Sequence, residues 1–254
     1  MKIRILGCYG TELLGYNATS FLVNETILVD AGTIASALTM EEQLKIRSVL
    51  LSHSHLDHIK GLFFLADNLS ERFSSSVNIY GTAGILDILK AHYFNDLLSP
   101  DFTSIPDKRN PILKLNPISP NEGFEVNGLM VNAFKANHVV ESVGYKLQDA
   151  NGSILYSGDT GATPWIWKEA REQKGLKAIF VETSFPNRLK ELAELTGHLT
   201  PSMLEEELKK IDHLDVPIFI FHMKPQYLDA LTTEIERINH PNISILKQGD
   251  EFTF

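Results

Sequence analysis

The chain opens with Ile3 and Ile5 alternating with Lys2 and Arg4, the period of a strand with one buried face, over Lys2–Leu6. Two further apolar runs, Ser20–Val23 and Thr26–Val29, flank Asn24-Glu25 and predict strands joined by a two-residue turn. Asp30-Ala31-Gly32 ends that block. Helical spacing follows from Thr33 past Met40, then Val49-Leu50-Leu51 predicts a short buried strand. Val77–Tyr80 predicts another strand and Ala83 to His92 a helix. From Tyr93 to Pro117 the periodicity lapses. Pro100, Pro106, Pro111 and Pro117 fall in this stretch, which predicts a long ordered loop or lid.

A second block of strands is expected at Phe124–Val126, Met130–Ala136, Ser142–Leu147 and Ile154–Tyr156. After it the pattern alternates. Helices are predicted near Pro164–Gln173, Pro201–Ile211 and Leu228–Asn239, and strands at Ala178–Val181, Pro217–Phe221 and Ile243–Leu246, before a short Phe252–Phe254 end. Thr200-Pro201 reads as an N-cap and first helical position. Neither a repeat nor a linker interrupts the chain, and strands occur in both halves. The expectation is one domain over residues 1–254 of mixed α/β class, with two mixed sheets and helices outside.

Composition narrows the function classes only slightly. With 254 residues, 43% hydrophobic and 22% charged, the chain can bury a substantial core. The single cysteine, Cys8, excludes an internal disulfide framework and fits a reducing compartment. No apolar run approaches membrane-spanning length, and the opening strand pattern lacks the apolar core of a signal peptide, so a cytoplasmic protein with no membrane partner is expected. A net charge of −9 argues against charge-driven binding of an extended nucleic acid. It leaves room for a small anionic substrate, because bound divalent cations create a local positive site in an acidic protein.

The chemistry concentrates in His53-Ser54-His55-Leu56-Asp57-His58, four metal-ligand side chains in six residues on the loop after Val49–Leu51. Imidazole and carboxylate suit zinc and neighbouring first-row metals. On an extended segment His53 and His55 face one way, while Asp57 and His58 fall where the chain should turn into a helix. Four ligands cannot complete two metal shells. The further candidates are His138, Asp159 and His222, each just beyond a predicted strand end where loops from one sheet edge can meet. Glycines on either side of Asp159 allow close backbone approach.

This ordered series resembles the metallo-β-lactamase superfamily in its phosphodiesterase form. The resemblance implies an αββα sandwich, with His53, His55 and His138 on one metal, Asp57, His58 and His222 on the other, and Asp159 bridging. It implies two divalent ions, zinc first, with iron and manganese also acceptable. A narrower resemblance lies in Leu56-Asp57-His58-Ile59-Lys60-Gly61-Leu62, in Asn95 to Phe102, in Val181-Glu182-Thr183-Ser184-Phe185, in Gly197-His198-Leu199-Thr200-Pro201 and in His222-Met223-Lys224-Pro225. These segments are similar to those of class II cyclic-nucleotide phosphodiesterases. That family implies hydrolysis of 3′,5′-cyclic nucleotides, cAMP first, to 5′-nucleotides.

The same resemblance implies roles. His198 would give a proton to the leaving alkoxide with Glu182 holding its ring, and Asp57 would orient the attacking water besides holding metal. Asn95, Asp101 and Phe102 would shape the nucleotide pocket, although a rigid surface lid is equally compatible. Lys224 would contact phosphate, against the reading of an exposed lysine beside a helix start. A tRNA 3′-processing endonuclease would share the scaffold, and a metal-binding regulatory or scaffold protein is the non-enzymatic alternative. The superfamily also makes a homodimer compatible. Asp30 reads as support for the loop below the site, and Trp165 and Trp167 as packing residues. Glu205-Glu206-Glu207 with Lys209-Lys210 reads as a solvated helix face, and His92, His213 and His240 as surface residues.

Overall fold

The computed structural model describes residues 1–72, 75–211, 215–238 and 240–254. His213 and the expected helix end at Asn239 lie outside them. The first half of the chain contributes β1 (Lys2–Gly7), β2 (Ser20–Val23), β3 (Ile27–Val29), β4 (Ser48–Leu50), β5 (Val77–Gly81) and β6 (Leu113–Pro117). The second half contributes β7 (Gly123–Val126), β8 (Leu129–Lys135), β9 (Val143–Asp149), β10 (Gly152–Tyr156), β11 (Leu176–Glu182), β12 (Ile218–Phe221) and β13 (Ile243–Ile245). A last strand, β14 (Glu251–Thr253), returns to the first sheet and pairs antiparallel with β1. The sheet orders are β14-β1-β2-β3-β4-β5-β6 and β13-β12-β11-β10-β9-β8-β7.

Side-chain alternation makes these two sheets the middle layers of a four-layer sandwich. On β11, Ala178 and Phe180 face the other sheet, where they join Phe21, Val29, Tyr145 and Phe221. Ile179 and Val181, one residue out of phase, pack against Trp167, Leu204 and Leu231 of the outer helices. Such a strand is apolar on both faces and reads as a continuous run, which is why it was legible. The hairpin at Asn24-Glu25 is also as expected: both residues have positive φ, 47° and 60°, matching the twist of the flanking strands.

Several segments differ from the sequence reading. Only Met40–Gln43 of the segment expected to be helical from Thr33 forms a helix, opened by a capping box between Thr39 and Glu42. Ile34 and Leu38 are buried, so their helix-like spacing records turns packing on the first sheet. The stretch 93–117 is not loop throughout, because Leu113–Pro117 forms β6 parallel to β5. Its polar alternation suits an edge strand, with Pro117 at the end where a lost N–H matters least. The helix expected from Asp57 continues at Gly61–Ser70, whose Leu62, Leu65, Ala66 and Leu69 cover the first sheet, and an unforeseen helix occurs at Lys190–Thr196. Glu207 is not on a solvated face: it is 3% exposed and accepts hydrogen bonds from Trp167 Nε1 at 2.6 Å and Thr163 N at 3.0 Å. Trp167 is buried and Trp165 partly exposed; His92 is exposed and His240 half-buried.

What the architecture does for function is set by direction. β10, β11 and β12 run parallel, and β8 shares their direction because β9 is antiparallel to both β8 and β10. Their C-terminal ends lead into His138, Asp159, Glu182 and His222 along one edge, and β4 delivers the His53 loop from the first sheet. No described helix is long and apolar enough to cross a membrane.

Candidate metal centre

His55 is the N-cap of a one-turn helix, Leu56–Ile59, so His53 precedes the turn in extended chain while Asp57 and His58 lie within it. This change of backbone separates the four side chains into two pairs. His222 stands immediately after β12 with φ 64°, a conformation that is costly for a residue with a Cβ and must be held by its surroundings. Its N–H donates to the carbonyl of Cys8 at 2.6 Å, and Gly10 lies so close that a Cβ there would sit 2.8 Å from Nδ1.

The structure brings all seven expected ligands together. One group is His53, His55, His138 and Asp159, and another is Asp57, His58 and His222, the ligand atoms of each lying within 4.8 Å of one another. Asp159 joins the groups: its Oδ2 is 3.5 Å from His53 Nε2 and 3.3 Å from the Nε2 atoms of His58 and His222. Asp57 Oδ2 is 3.3 Å from His222 Nε2, and His138 Nε2 is 3.2 Å from His55 Nδ1.

The outer nitrogens decide what the inner ones can do. Ser52 Oγ donates to Asp30 Oδ2 at 2.8 Å, so it accepts from His53 Nδ1 at 3.0 Å. His58 Nδ1 donates to Asp30 Oδ2 at 2.8 Å and His138 Nδ1 to the Gly197 carbonyl at 2.8 Å. His222 Nδ1 meets Ser184 Oγ at 2.8 Å. With the proton on Nδ1, each ring turns a bare Nε2 inward, the form that ligates metal. His58 Nε2 and His222 Nε2 then face each other at 3.1 Å as two acceptors, which calls for a cation. His53 Nε2 and Asp159 Oδ1 are buried and lack a hydrogen-bond partner among the described residues. Orphaned acceptors, imidazoles and two carboxylates are a donor set that fits divalent cations.

Charge is divided over the cluster: burial would depress His58, but the Asp159, Asp30 and Asp57 carboxylates override it and raise that imidazole well above its usual value. Burial alone would raise the Asp57 and Asp159 carboxyls, but the surrounding histidines outweigh it and hold both below the usual carboxylate range. Burial pushes His53 down, keeping it neutral and able to ligate.

Beside the cluster, Glu182 is fully buried and its Oε1 accepts from His198 Nδ1 at 2.8 Å and from Thr160 N at 3.1 Å. Burial would depress His198, but the Glu182 carboxylate overrides it and raises the imidazole above its usual value. The His198 ring lies 5.0 Å from that of His138 and 5.4 Å from that of His222, so it flanks both ligand groups. Lys224 is near as well. Its Nζ donates to the Gly10 carbonyl at 2.9 Å and lies 5.2 Å from the Phe185 ring centre.

Asn95, Asp101 and Phe102 make contacts within and beside the 93–117 segment. Asn95 Oδ1 caps a turn by accepting from Leu97 N and Leu98 N. Phe102 is 3% exposed and packs edge-on against Phe63 and Phe94. Asp101 accepts from Lys90, Ser104 and Thr103. None of these side-chain contacts involves the histidine–aspartate cluster; all three side chains are engaged in contacts that stiffen the 93–117 segment. Burial would raise the Asp101 carboxyl, yet its donors win and hold it at about 2 instead of 3.8. A depressed carboxyl stabilises the fold above its unfolded pKa, and that contribution fades as pH falls through the folded one. Asp101→Asn should therefore cost about 1–3 kcal/mol in urea denaturation at neutral pH. The gap between variant and parent should close between about pH 4 and about pH 2; a gap that does not vary with pH would contradict the assignment.

Sequence reasoning missed Ser184, although period-2 alternation past the end of β11 puts residues 182 and 184 on one side. It also missed that Asp30 is one hydrogen bond behind His58, and that Tyr156 OH donates to the same carboxylate at 2.6 Å. Gly197, in the left-handed region at φ 69°, lets helix Lys190–Thr196 end against His138, where a Cβ would come within 2.9 Å of His138 Cα.

Residues 25–223 match the family model described as the beta-lactamase superfamily domain. A probable 3′,5′-cyclic-nucleotide phosphodiesterase of Yersinia pestis is 27% identical, over 82% of this chain and 68% of its own length. A 3′,5′-cyclic-nucleotide phosphodiesterase of Aliivibrio fischeri is 24% identical over 94% of this chain and 88% of its own. In three dimensions the chain is similar to unliganded yeast PDE1, with a TM-score of 0.84, 23% identity and 98% of each chain covered.

Proposed function

This chain belongs to the metallo-β-lactamase superfamily, and on that premise we propose that it is a dinuclear metal-dependent phosphodiesterase that hydrolyses 3′,5′-cyclic nucleotides, cAMP first, to 5′-nucleotides. The observation that carries the reading is Asp159 Oδ2, within 3.5 Å of histidine nitrogens from both ligand groups, with the Glu182–His198 pair beside it. The cyclic-nucleotide assignment draws on the names of the two bacterial relatives.

His53, His55 and His138 would hold one cation and Asp57, His58 and His222 the other, with Asp159 between them; zinc is the first choice, iron and manganese the alternatives. When bound, two divalent cations polarise a phosphoryl oxygen and make a water nucleophilic near neutral pH. Asp57, besides its place among the ligands, orients that water. As the water oxygen bonds to phosphorus, the bond from phosphorus to the ribose O3′ breaks and O3′ needs a proton. His198 supplies it from Nε2, because Nδ1 is committed to Glu182. Lys224 spends one of its three N–H donors on Gly10 and keeps the others for a phosphate oxygen. The reaction consumes one water, which loses a proton to solvent as it attacks while His198 regains one from solvent, and it leaves a 5′-phosphate and a free 3′-hydroxyl.

We take residues 1–254 as one hydrolase domain acting in the cytoplasm, with a homodimer compatible. The test is a substrate panel: metal-loaded protein with cAMP, cGMP, a pre-tRNA and a generic phosphodiester. Turnover of cAMP to 5′-AMP is expected, with no cleavage of the pre-tRNA. Selective pre-tRNA cleavage would move the assignment to RNA processing, and full metal loading without turnover would favour a regulatory role.

A further inference from the structure

We propose that Ser184 is a positioning residue that links Glu182 to His222, so that one buried carboxylate fixes the ring tautomer of both the proton donor and a metal ligand. This rests on the two-cation reading above.

Proton counting carries the case. The Ser184 hydroxyl is fully buried and owns one proton and two lone pairs. Three groups surround it: Glu182 Oε2 at 2.9 Å, His222 Nδ1 at 2.8 Å and His198 Nδ1 at 3.2 Å. A carboxylate only accepts, so the hydroxyl proton goes to Oε2 and the lone pairs face the rings. His222 must therefore present N–H at Nδ1, while the single Nδ1–H of His198 is already committed to Glu182 Oε1 at 2.8 Å. The rings are stacked at an interplanar angle of 18°, and both turn that edge towards Ser184. His222 is left with a bare Nε2, 3.3 Å from Asp57 Oδ2 and 3.3 Å from Asp159 Oδ2.

The serine cannot drift from this place. Its backbone N–H donates to the Leu199 carbonyl at 3.0 Å, and its carbonyl accepts from Lys224 N at 3.3 Å. Glu182 meanwhile holds Thr160 N, next to Asp159. One carboxylate thus touches the loop after β10 and the proton donor after helix Lys190–Thr196, and reaches His222 after β12 through Ser184. Without the Ser184 oxygen, His222 Nδ1–H would be a buried donor with no acceptor. The ring would then gain by moving its proton to Nε2, where it blocks ligation.

This separates two variants that a purely proton-donating pair would not separate. Chelator-stripped full-length protein is titrated with Zn²⁺ against a competing chelator, and cAMP turnover is followed across the same titration. Ser184→Ala should bind the first equivalent normally and the second about 10–100-fold more weakly, with turnover recovering at excess Zn²⁺. His198→Ala should bind both equivalents normally and remain slow at any Zn²⁺ concentration. Ser184→Thr keeps the hydroxyl and should restore the second equivalent. Wild-type affinity for both equivalents in Ser184→Ala would overturn the link. If the alanine variant loses both equivalents together, the threonine variant decides: binding no better than alanine overturns the proposal. Failure of the wild type to take up two equivalents would instead refute the two-cation reading itself.

Discussion

Asp159→Ala is expected to lower kcat/KM for cAMP by about four orders of magnitude or more, with loss of at least one bound metal equivalent. Among the described residues, Asp159 Oδ2 is the one carboxylate oxygen within 3.5 Å of histidine nitrogens in both groups. Its removal leaves His53, His58 and His222 converging on a buried space without the anion that balances a cation there. Polarisation of a phosphoryl oxygen is worth several kcal/mol, and each 1.36 kcal/mol is tenfold in rate, so losing that assistance accounts for the size. Asp159→Asn should be nearly as damaging, since an amide keeps the shape but not the charge. Metal content by mass spectrometry and steady-state kinetics check both. An alanine variant that kept two metals and a tenth of the activity would remove Asp159 from the centre of the account.

The second large effect concerns His198. Substitution by alanine should reduce kcat by about 10²–10⁴-fold, the usual worth of a positioned proton donor, while KM and metal content stay close to those of the parent. The Glu182 carboxylate at 2.8 Å holds the proton on this ring and commits its Nδ1, so His198 is assigned to proton donation although its ring also stands close to Asp159 and His222. A substrate with a better leaving group, such as a nitrophenyl phosphodiester, needs less protonation and should be hurt less. Equal losses on both substrates would contradict a role in proton donation, as would full turnover in the variant with normal metal content.

The ligand residues were legible because they are rare chemistry at strand ends, and strand ends are the part of this fold that sequence marks best. His53, His55, Asp57 and His58 announce themselves by density; His138, Asp159 and His222 needed the apolar runs before them to be noticed. The segment 93–117 was harder. Its prolines hid β6, whose pairing with β5 is a property of the distant chain and not of local pattern. Asp101 and Phe102 carried a family motif but have their side chains committed to the fold's own contacts. Ser184 and Tyr156 escaped notice for the opposite reason. A hydroxyl is chemically ordinary until the folded chain places it against Glu182 and His222, or against Asp30.

The most direct measurement is cAMP hydrolysis as a function of metal loading, with the nucleotide product identified. Stripped protein should be inactive, and activity should rise to its maximum as a second equivalent of divalent metal per chain is taken up. The product should be 5′-AMP alone, with the new oxygen on phosphorus when the reaction runs in ¹⁸O-labelled water. Protein that binds two equivalents and leaves cAMP intact, or that hydrolyses it equally well when stripped, would contradict the account.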